Sequence, residues 1–383
     1  MSITGLKSYQ SSGYDVIALR EQFPVLRREV HGKPLIYLDN AATAQRPQSV
    51  IDAVSGYYGD YNANVHRGVH QLSVEASEAF EQARERVRAG VNARSIAEVI
   101  FTRGTTEAVN LVAQSYLRPR IEPGDEILVS HMEHHANIVP WQMLCEQTGA
   151  VLKVIPINRR GELAFEQLPE LINERTRLIG LVHVSNALGT VNPVQPVCEL
   201  ARRHGIATVI DGAQASPHVA VDVRALDCDF YCMSAHKMYG PTGIGALIGR
   251  EVLLEAMPPW QGGGEMIRHV SFDQTRYNGL PHKFEAGTPN IAGAIGFGAA
   301  FDFLQRTGIE AIAQHEQQLL DYATERMQAI DGLRIIGTAA DKGPVIAFTL
   351  DGAHANDIGT IVDQFGVAIR TGHHCAMPVM QFF

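Results

Sequence analysis

Short apolar runs alternate with longer stretches of helical spacing from about residue 97 onward. Seven of the short runs predict strands, at residues 99–102, 127–130, 151–155, 178–184, 207–210, 230–233 and 245–248. Stretches such as 105–116 and 138–148 carry apolar residues at the period of a helix and predict helices between these strands. Strands that alternate with helices form βαβ units, so we expect an α/β fold with a mostly parallel seven-stranded sheet.

The pattern changes after a run of glycines at 262–264, which opens an irregular stretch to residue 290. Beyond it the apolar pattern predicts helices at 291–304, 309–330 and 356–364 and strands at 345–350 and 367–371. This second set is typical of a smaller α+β domain. We therefore expect a large domain over 25–290 and a small domain formed by 1–24 and 291–383.

The composition and charge of the chain argue against several classes of protein. The chain has 383 residues and a formal net charge of −9, which argues against a nucleic-acid partner because such partners favour a basic surface. No apolar run reaches the roughly 18 residues of a membrane-spanning helix, and residues 1–22 are too polar for a signal peptide. The five cysteines are widely spaced, so we expect reduced thiols and a cytoplasmic protein.

Two polar patterns, Asp211-x-x-Gln214 and Ser234-x-His236-Lys237, each follow a predicted strand. Ligands of parallel sheets bind at the carboxyl ends of strands, so a carboxylate and an amine would meet at one edge. Pyridoxal phosphate needs this pair, because a lysine forms a Schiff base with its aldehyde and an acidic group keeps its ring nitrogen protonated. A lone lysine is usually a surface residue. The two patterns together are what predict the cofactor.

Residues 104–107, Gly-Thr-Thr-Glu, follow a predicted strand and open a predicted helix. Backbone N–H groups at such a helix start, together with the hydroxyls of Thr105 and Thr106, suit a phosphate group. The alternative is an ordinary threonine cap with Glu107 in the first turn. The presence of Asp211 and Lys237 favours the phosphate interpretation.

His134 follows the predicted strand 127–130, where a flat imidazole could stack on the cofactor ring and move protons. The alternative is a metal site made by His131, His134 and His135. No further ligands stand at zinc-like spacing, so we predict no metal site.

Cys375 lies beside two histidines in a segment that follows a predicted strand. A cysteine in such a loop is a candidate nucleophile, although a free cysteine is more often a small buried hydrophobe. We assign that buried role to the remaining cysteines, which lie in apolar patterns: Cys145, Cys198, Cys228 and Cys232.

Seven segments carry a resemblance to a known family: 104–107 (GTTE), 132–141 (MEHHANIVPW), 183–190 (HVSNALGT), 211–215 (DGAQA), 234–241 (SAHKMYGP), 284–290 (FEAGTPN) and 370–378 (RTGHHCAMP). They resemble the SUF-system (group II, SufS-type) cysteine desulfurases, a subgroup of the class V aminotransferases among the fold-type-I pyridoxal-phosphate enzymes. The resemblance covers residues 23–383. The RTGHHC form distinguishes this subgroup from the housekeeping desulfurases, whose nucleophile lies on a longer loop.

The resemblance implies roles for the matching residues. Lys237 would bind the cofactor covalently and move protons, Asp211 would pair with its ring nitrogen, Gln214 would bond its phenolic oxygen, and His134 would stack on its ring. The implied phosphate contacts are Thr105, Thr106, Ser234 and His236, with Thr288 from a second subunit of a homodimer. The implied substrate contacts are Asn186, Arg370 and His66.

The implied reaction converts L-cysteine to L-alanine and leaves its sulfur on Cys375 as a persulfide, for iron–sulfur cluster assembly through an acceptor of the SufE or SufU type. Selenocysteine lyase activity and plain aminotransferase activity are the enzymatic alternatives. Members of the family continue beyond the position of Phe383 with an arginine for the substrate carboxylate. A truncated, catalytically impaired chain that only binds pyridoxal phosphate is therefore a further alternative.

Overall fold

The structure is a computed structural model that describes residues 14–383, so the part of the predicted small domain at 1–13 lies outside the described residues. The strands are β1 Glu29–Val30, β2 Lys33–Pro34, β3 Ile36–Tyr37, β4 Val99–Thr102, β5 Glu126–Ser130, β6 Val151–Ile155, β7 Thr176–Val182, β8 Ala207–Asp211, β9 Phe230–Ser234, β10 Gly245–Gly249, β11 Ile267–Val270, β12 Thr275–Tyr277, β13 Leu333–Ile336, β14 Ala347–Leu350 and β15 Val367–Ala368. The helices are α1 Val16–Glu21, α2 Gln48–Asp60, α3 Gln71–Gly90, α4 Thr105–Leu111, α5 Val139–Thr148, α6 Leu168–Leu171, α7 Val194–Arg203, α8 Val223–Leu226, α9 Glu251–Ala256, α10 Ile291–Thr307, α11 Ile309–Gln328, α12 Ala355–Asp363 and α13 Met377–Phe382.

A seven-stranded sheet lies at the centre, in the order β4-β10-β9-β8-β7-β5-β6. β10 is antiparallel to both of its neighbours, and the pairs from β9 to β6 are parallel. Strands such as β5, β8 and β9 are buried along their whole length, as a sheet covered by helices on both faces requires. The predicted α/β fold with a mostly parallel seven-stranded sheet is confirmed.

The direction of β10 brings two loops of the sheet edge together. Gly245, its first residue, pairs with Thr102 at the end of β4 and with Ser234 at the end of β9. A Cβ atom on Gly245 would collide with the carbonyl oxygen of Met233 and would lie 2.7 Å from the Cα atom of Gly104. Glycine is therefore required here, and it allows the loop after β4 to approach the loop after β9.

Several features differ from the sequence prediction. The stretch 265–290 contains the hairpin β11–β12, whose residues are mostly exposed and therefore lack a clear apolar alternation. The predicted strand 367–371 ends at Ala368, because the following residues turn away toward Asp39, with which Arg370 forms an ion pair. The short strand β13 was not predicted, since it pairs only with β14 at the protein surface.

The last quarter of the chain is joined to earlier segments in several places. α10 packs against α3 and α2, and β15 pairs in parallel with β3. The domain boundaries at 24/25 and 290/291 stay a prediction. Among residues 14–383, none of the helices combines the length and the apolar character needed to cross a lipid bilayer.

Candidate active site

Asp211 and Lys237 lie at one edge of the sheet. Asp211 ends β8 and is 3% exposed, and its Oδ1 accepts a hydrogen bond of 3.0 Å from the N–H of Ala213. Lys237 ends the short 3-10 turn that follows β9. Because β8 and β9 pair in parallel, with Asp211 opposite Cys232, both side chains leave the sheet at its carboxyl edge.

The electrostatic surroundings of Lys237 favour a neutral amine. Burial lowers the pKa of Lys237, and the charges of Asp211 and Cys375 partly oppose this shift. These groups therefore share one region of the protein. A lowered pKa increases the fraction of unprotonated amine, which is the form that attacks a carbonyl carbon.

His134 follows β5 at the same edge. Its Nδ1 accepts a hydrogen bond of 3.0 Å from the N–H of Ala136, so a neutral ring carries its proton on Nε2. Burial lowers the pKa of His134, the carboxylate of Asp211 opposes the shift and the amine of Lys237 adds to it. The imidazole is therefore neutral at pH 7 and lies near both groups.

Hydroxyl and backbone donors gather where α4 begins. The N–H of Thr105 donates to Ser234 Oγ at 2.9 Å, and Ser234 Oγ donates to Thr105 Oγ1 at 2.9 Å. Gly104 precedes them with a φ of 144°, and a Cβ atom there would lie 3.1 Å from Ser234 Oγ. Thr106 is exposed beside this pair, and burial lowers the pKa of the neighbouring His236 to about 4. The predicted phosphate contacts within one chain thus lie together.

Gln214 is linked to a histidine and a glutamate that sequence analysis missed. Its Nε2 lies 3.1 Å from His218 Nε2, and His218 Nδ1 lies 2.9 Å from Glu316 Oε2. Gln214 is 2% exposed, yet its Oε1 has no hydrogen-bond partner among the described residues. A buried orphan oxygen of this kind marks a place where a bound polar group completes the hydrogen bonding.

A second missed group is Glu133, which is fully buried behind His134. It accepts hydrogen bonds from Ser130 Oγ, Asn137 Nδ2 and the N–H of Val182. Burial raises the pKa of Glu133 to about 8 despite these donors. A carboxyl that is largely neutral at pH 7 supports the loop that carries His134 without adding charge beside Asp211.

Cys375 is exposed on a strained loop tied to the same edge. His374 and Cys375 have φ angles of 50° and 54°, in the left-handed region that L-residues seldom adopt. The N–H of His135 donates to the Cys375 carbonyl at 2.8 Å, and Asn186 Nδ2 donates to the His374 carbonyl at 2.6 Å. Asn186 Oδ1 is a further buried atom without a partner among residues 14–383.

An open cleft of about 530 Å³ lies beside this loop, lined by Asp39, His135, Ile369, Arg370, Thr371, His373, His374 and Cys375. The guanidinium of Arg370 binds the carboxylate of Asp39 through Nε–Oδ1 and Nη2–Oδ2 hydrogen bonds of 3.0 and 3.3 Å. An anionic ligand in the cleft would compete with Asp39 for the guanidinium of Arg370. Sequence analysis missed Asp39, because the pair joins residues 331 positions apart.

Two predicted site residues lie in other surroundings within the chain. His66 contacts Glu81 and His282. Thr288 is exposed in the loop between β12 and α10, consistent with its predicted contribution to a second subunit. Both roles stay predictions.

His183, a buried histidine after β7, gives the fold a testable pH dependence. Its ring is beside the Tyr231 hydroxyl, with Nδ1 and Oη 3.0 Å apart, and burial lowers its pKa from 6.5 to about 4. Between these values the unfolded chain binds a proton that the folded chain does not, so acidification favours unfolding. We expect His183 to remove about 3 kcal/mol of stability as the pH falls from about 6.5 to about 4.

Urea unfolding across this pH range measures the effect. The variant His183→Gln should lose less stability on acidification than the parent, whereas the exposed-residue control His204→Gln should follow the parent. Equal pH slopes in all three proteins would show that His183 does not cause the loss.

Comparison with known proteins adds two findings. The profile of the family "Aminotransferase class-V" matches residues 36–383. A "Probable cysteine desulfurase" of Xylella fastidiosa is 53% identical over 365 residues, which cover 95% of this chain and 88% of that protein. A "Cysteine desulfurase" of Synechococcus elongatus is 48% identical over 382 residues, but the chain spans only 61% of that protein's length.

The fold has a solved counterpart in the cysteine desulfurase CsdA of Escherichia coli. The two structures agree with a TM-score of 0.89 at 41% sequence identity, over 96% of this chain and 90% of the other. The similarity therefore extends through both the central sheet and the last quarter of the chain.

Proposed function

The chain belongs to the class-V aminotransferase family and, within it, to the cysteine desulfurases, and we propose that it converts L-cysteine to L-alanine with transfer of sulfur to Cys375. The observation that carries the proposal is the position of that thiol. Cys375 is exposed, yet its loop is held at the carboxyl edge of the sheet, where the N–H of His135 donates to the Cys375 carbonyl at 2.8 Å. A transamination reaction alone would not use a thiol at this position.

Pyridoxal phosphate is the cofactor of this fold-type-I enzyme. The buried oxygens of Gln214 and Asn186, which lack partners in the described chain, fit a polar ligand that completes their hydrogen bonding. When bound, the cofactor supplies a ring that accepts the electrons left at the substrate's α-carbon. The residues that would hold it are Lys237, Asp211, Gln214 and His134 at the ring and Thr105, Thr106, Ser234 and His236 at the phosphate.

Three side chains near the ring would handle protons. Asp211, a buried carboxylate, would hold a proton at the ring nitrogen. Lys237, with its lowered pKa, would bind the cofactor and then take the α-proton of the substrate. His134 would stack as a neutral ring, because burial lowers its pKa and its tautomer is fixed by the N–H of Ala136.

Cys375 would perform the sulfur transfer. Its thiolate attacks the substrate sulfur and forms an S–S bond while the carbon–sulfur bond of the substrate breaks. The carbon takes the electron pair and then a proton, and it becomes the methyl group of alanine. The products are alanine and a persulfide on Cys375, so atoms and electrons balance without an added oxidant.

Two residues at the cleft would bind the substrate. Arg370 would release Asp39 and bind the substrate carboxylate instead. Its guanidinium can donate the same pair of hydrogen bonds to either carboxylate. Asn186 would contact the substrate from the sheet side, where its Oδ1 has no protein partner in the described chain.

The finer assignment follows from the sequence of the Cys375 loop. We infer a role of the SUF type in iron–sulfur cluster assembly, with a homodimer in which Thr288 serves the phosphate site of the partner and His66 lies near the substrate contacts. The exposed loop supports docking of a sulfur-acceptor protein of the SufE or SufU type. Selenocysteine is a second candidate substrate, because a thiolate can attack selenium in the same position.

An assay of products tests the proposal. The purified protein, loaded with pyridoxal phosphate and given L-cysteine and a reducing thiol, should form one alanine for each sulfide released. Pyruvate with ammonia would indicate elimination, and a sulfur-containing keto acid would indicate transamination; either result would overturn the proposal. A parallel assay with L-selenocysteine compares the two substrates.

A further inference from the structure

Three side chains from separate segments of the chain converge. His66 precedes α3, Glu81 lies on α3, and His282 lies on the short turn before α10. Their ligand atoms all lie within 4.8 Å of one another. His66 Nε2 is 3.0 Å from Glu81 Oε1, and the two imidazole rings are 4.9 Å apart between centroids.

Neighbouring residues hold two of these groups in place. His66 has a φ of 70°, and its backbone N–H donates to Ser77 Oγ at 2.8 Å. Glu81 Oε2 accepts a hydrogen bond of 3.1 Å from Arg84 Nε, which leaves Oε1 directed toward His66. The cluster is thus oriented by contacts that involve neither of the facing ligand atoms.

The charge balance leaves room for a cation. Arg84 is fully buried and binds Glu285 through two hydrogen bonds of 2.6 and 2.9 Å, so its positive charge is already matched. The negative charge of the Glu81 carboxylate is then not balanced by Arg84.

We propose that His66, Glu81 and His282 bind a divalent first-row transition metal, with zinc as the best match. Two imidazoles and one carboxylate are a common zinc donor set, and a water molecule would fill the fourth position. Bond lengths of about 2.0–2.1 Å in a tetrahedron separate ligand atoms by about 3.3 Å, close to the His66–Glu81 distance. The ligand nitrogen of His282 lies within 4.8 Å of the other two ligand atoms, so a bound ion requires it to move closer.

The site is accessible and has a structural consequence. The side chains of His66 and Glu81 are 26% and 33% exposed, so a hydrated ion can enter. A bound ion would join the loop before α3, α3 itself and the turn before α10. It would therefore raise the free energy of unfolding. At metal concentrations above the dissociation constant, this increase grows with the logarithm of the metal concentration.

Cobalt(II) is the probe, because its visible d–d bands report coordination and thiolate ligands add charge-transfer bands. The cleft thiol Cys375 has histidine neighbours and is a competing ligand, so the parent background is the cofactor-loaded variant Cys375→Ser. We expect one equivalent of cobalt to bind without thiolate bands and to raise the melting temperature. Zinc should displace it.

Substitutions assign the ligands. Glu81→Gln and His282→Ala, each in the Cys375→Ser background, should weaken cobalt binding at least about tenfold, because loss of an outer-shell partner alone typically costs about 10–100-fold in metal affinity. His269→Ala, an exposed histidine on the β11–β12 hairpin, is the matched control and should bind as the background does. Absence of binding in the background, unchanged binding in both ligand variants, or thiolate bands would overturn the proposal. The circular dichroism spectrum of each variant identifies any that fail to fold.

Discussion

Replacing Lys237 with alanine is expected to remove the visible absorption band of the covalently bound cofactor and to lower alanine formation by at least about 10³-fold. In the proposed reaction the amine bonds the cofactor and moves the substrate's α-proton, and no hydrocarbon side chain could do either. Its lowered pKa, caused mainly by burial, suits it to both tasks near neutral pH.

The absorption spectrum and the alanine assay measure this effect together. Lys342→Met is the matched control, because burial also lowers the pKa of Lys342, to about 8, while its Nζ binds the carbonyls of Leu188 and Gly337. The control should keep the band. A visible band of parent intensity in Lys237→Ala would remove Lys237 from this role.

Cys375→Ser should separate cofactor binding from sulfur transfer. The variant is expected to keep the visible band, since the loop contacts that reach the sheet edge come from backbone carbonyls. Alanine formation should fall at least about 10²-fold, because a serine hydroxyl is a far weaker nucleophile toward sulfur than a thiolate. Mass spectrometry should find a persulfide of one added sulfur on the parent and none on the variant.

Cys145→Ser controls for loss of a thiol as such, because Cys145 is the other cysteine that is not fully buried. It should turn over cysteine at the parent rate. Parent-like alanine formation by Cys375→Ser would require another sulfur acceptor and would contradict the proposed role of this residue.

The sequence predicted the sheet well because its strands are short and apolar, and most of them are buried along their length. The predicted strands 99–102 and 151–155 coincide with β4 and β6, and the others differ by a few residues at their ends. The positions of Asp211 and Ser234 at strand ends followed from the same pattern. A candidate site at the carboxyl edge could therefore be predicted before any contact was known.

The sequence contains no comparable pattern that predicts contacts between distant segments. Glu316 reaches His218 across 98 residues, and Arg370 reaches Asp39 across 331. These side chains look like ordinary surface charges in the sequence, because neither periodicity nor spacing records which helix packs on which loop. The cluster of His66, Glu81 and His282 was missed for the same reason. The roles assigned through family resemblance stay predictions until the variants are measured.

The attachment of the Cys375 loop has an energetic consequence. Three hydrogen bonds link the loop and the residue after it to the sheet edge: the His135 N–H and the Asn186 amide donate to loop carbonyls, and the Met377 N–H donates to His135 Nε2. At a net value of about 1 kcal/mol each, releasing all three corresponds to an open population of roughly one molecule in 160. The loop can thus open from time to time without disturbing the buried strands. In the proposed reaction the buried sheet would keep the reacting groups in place, and the loop would carry the sulfur outward.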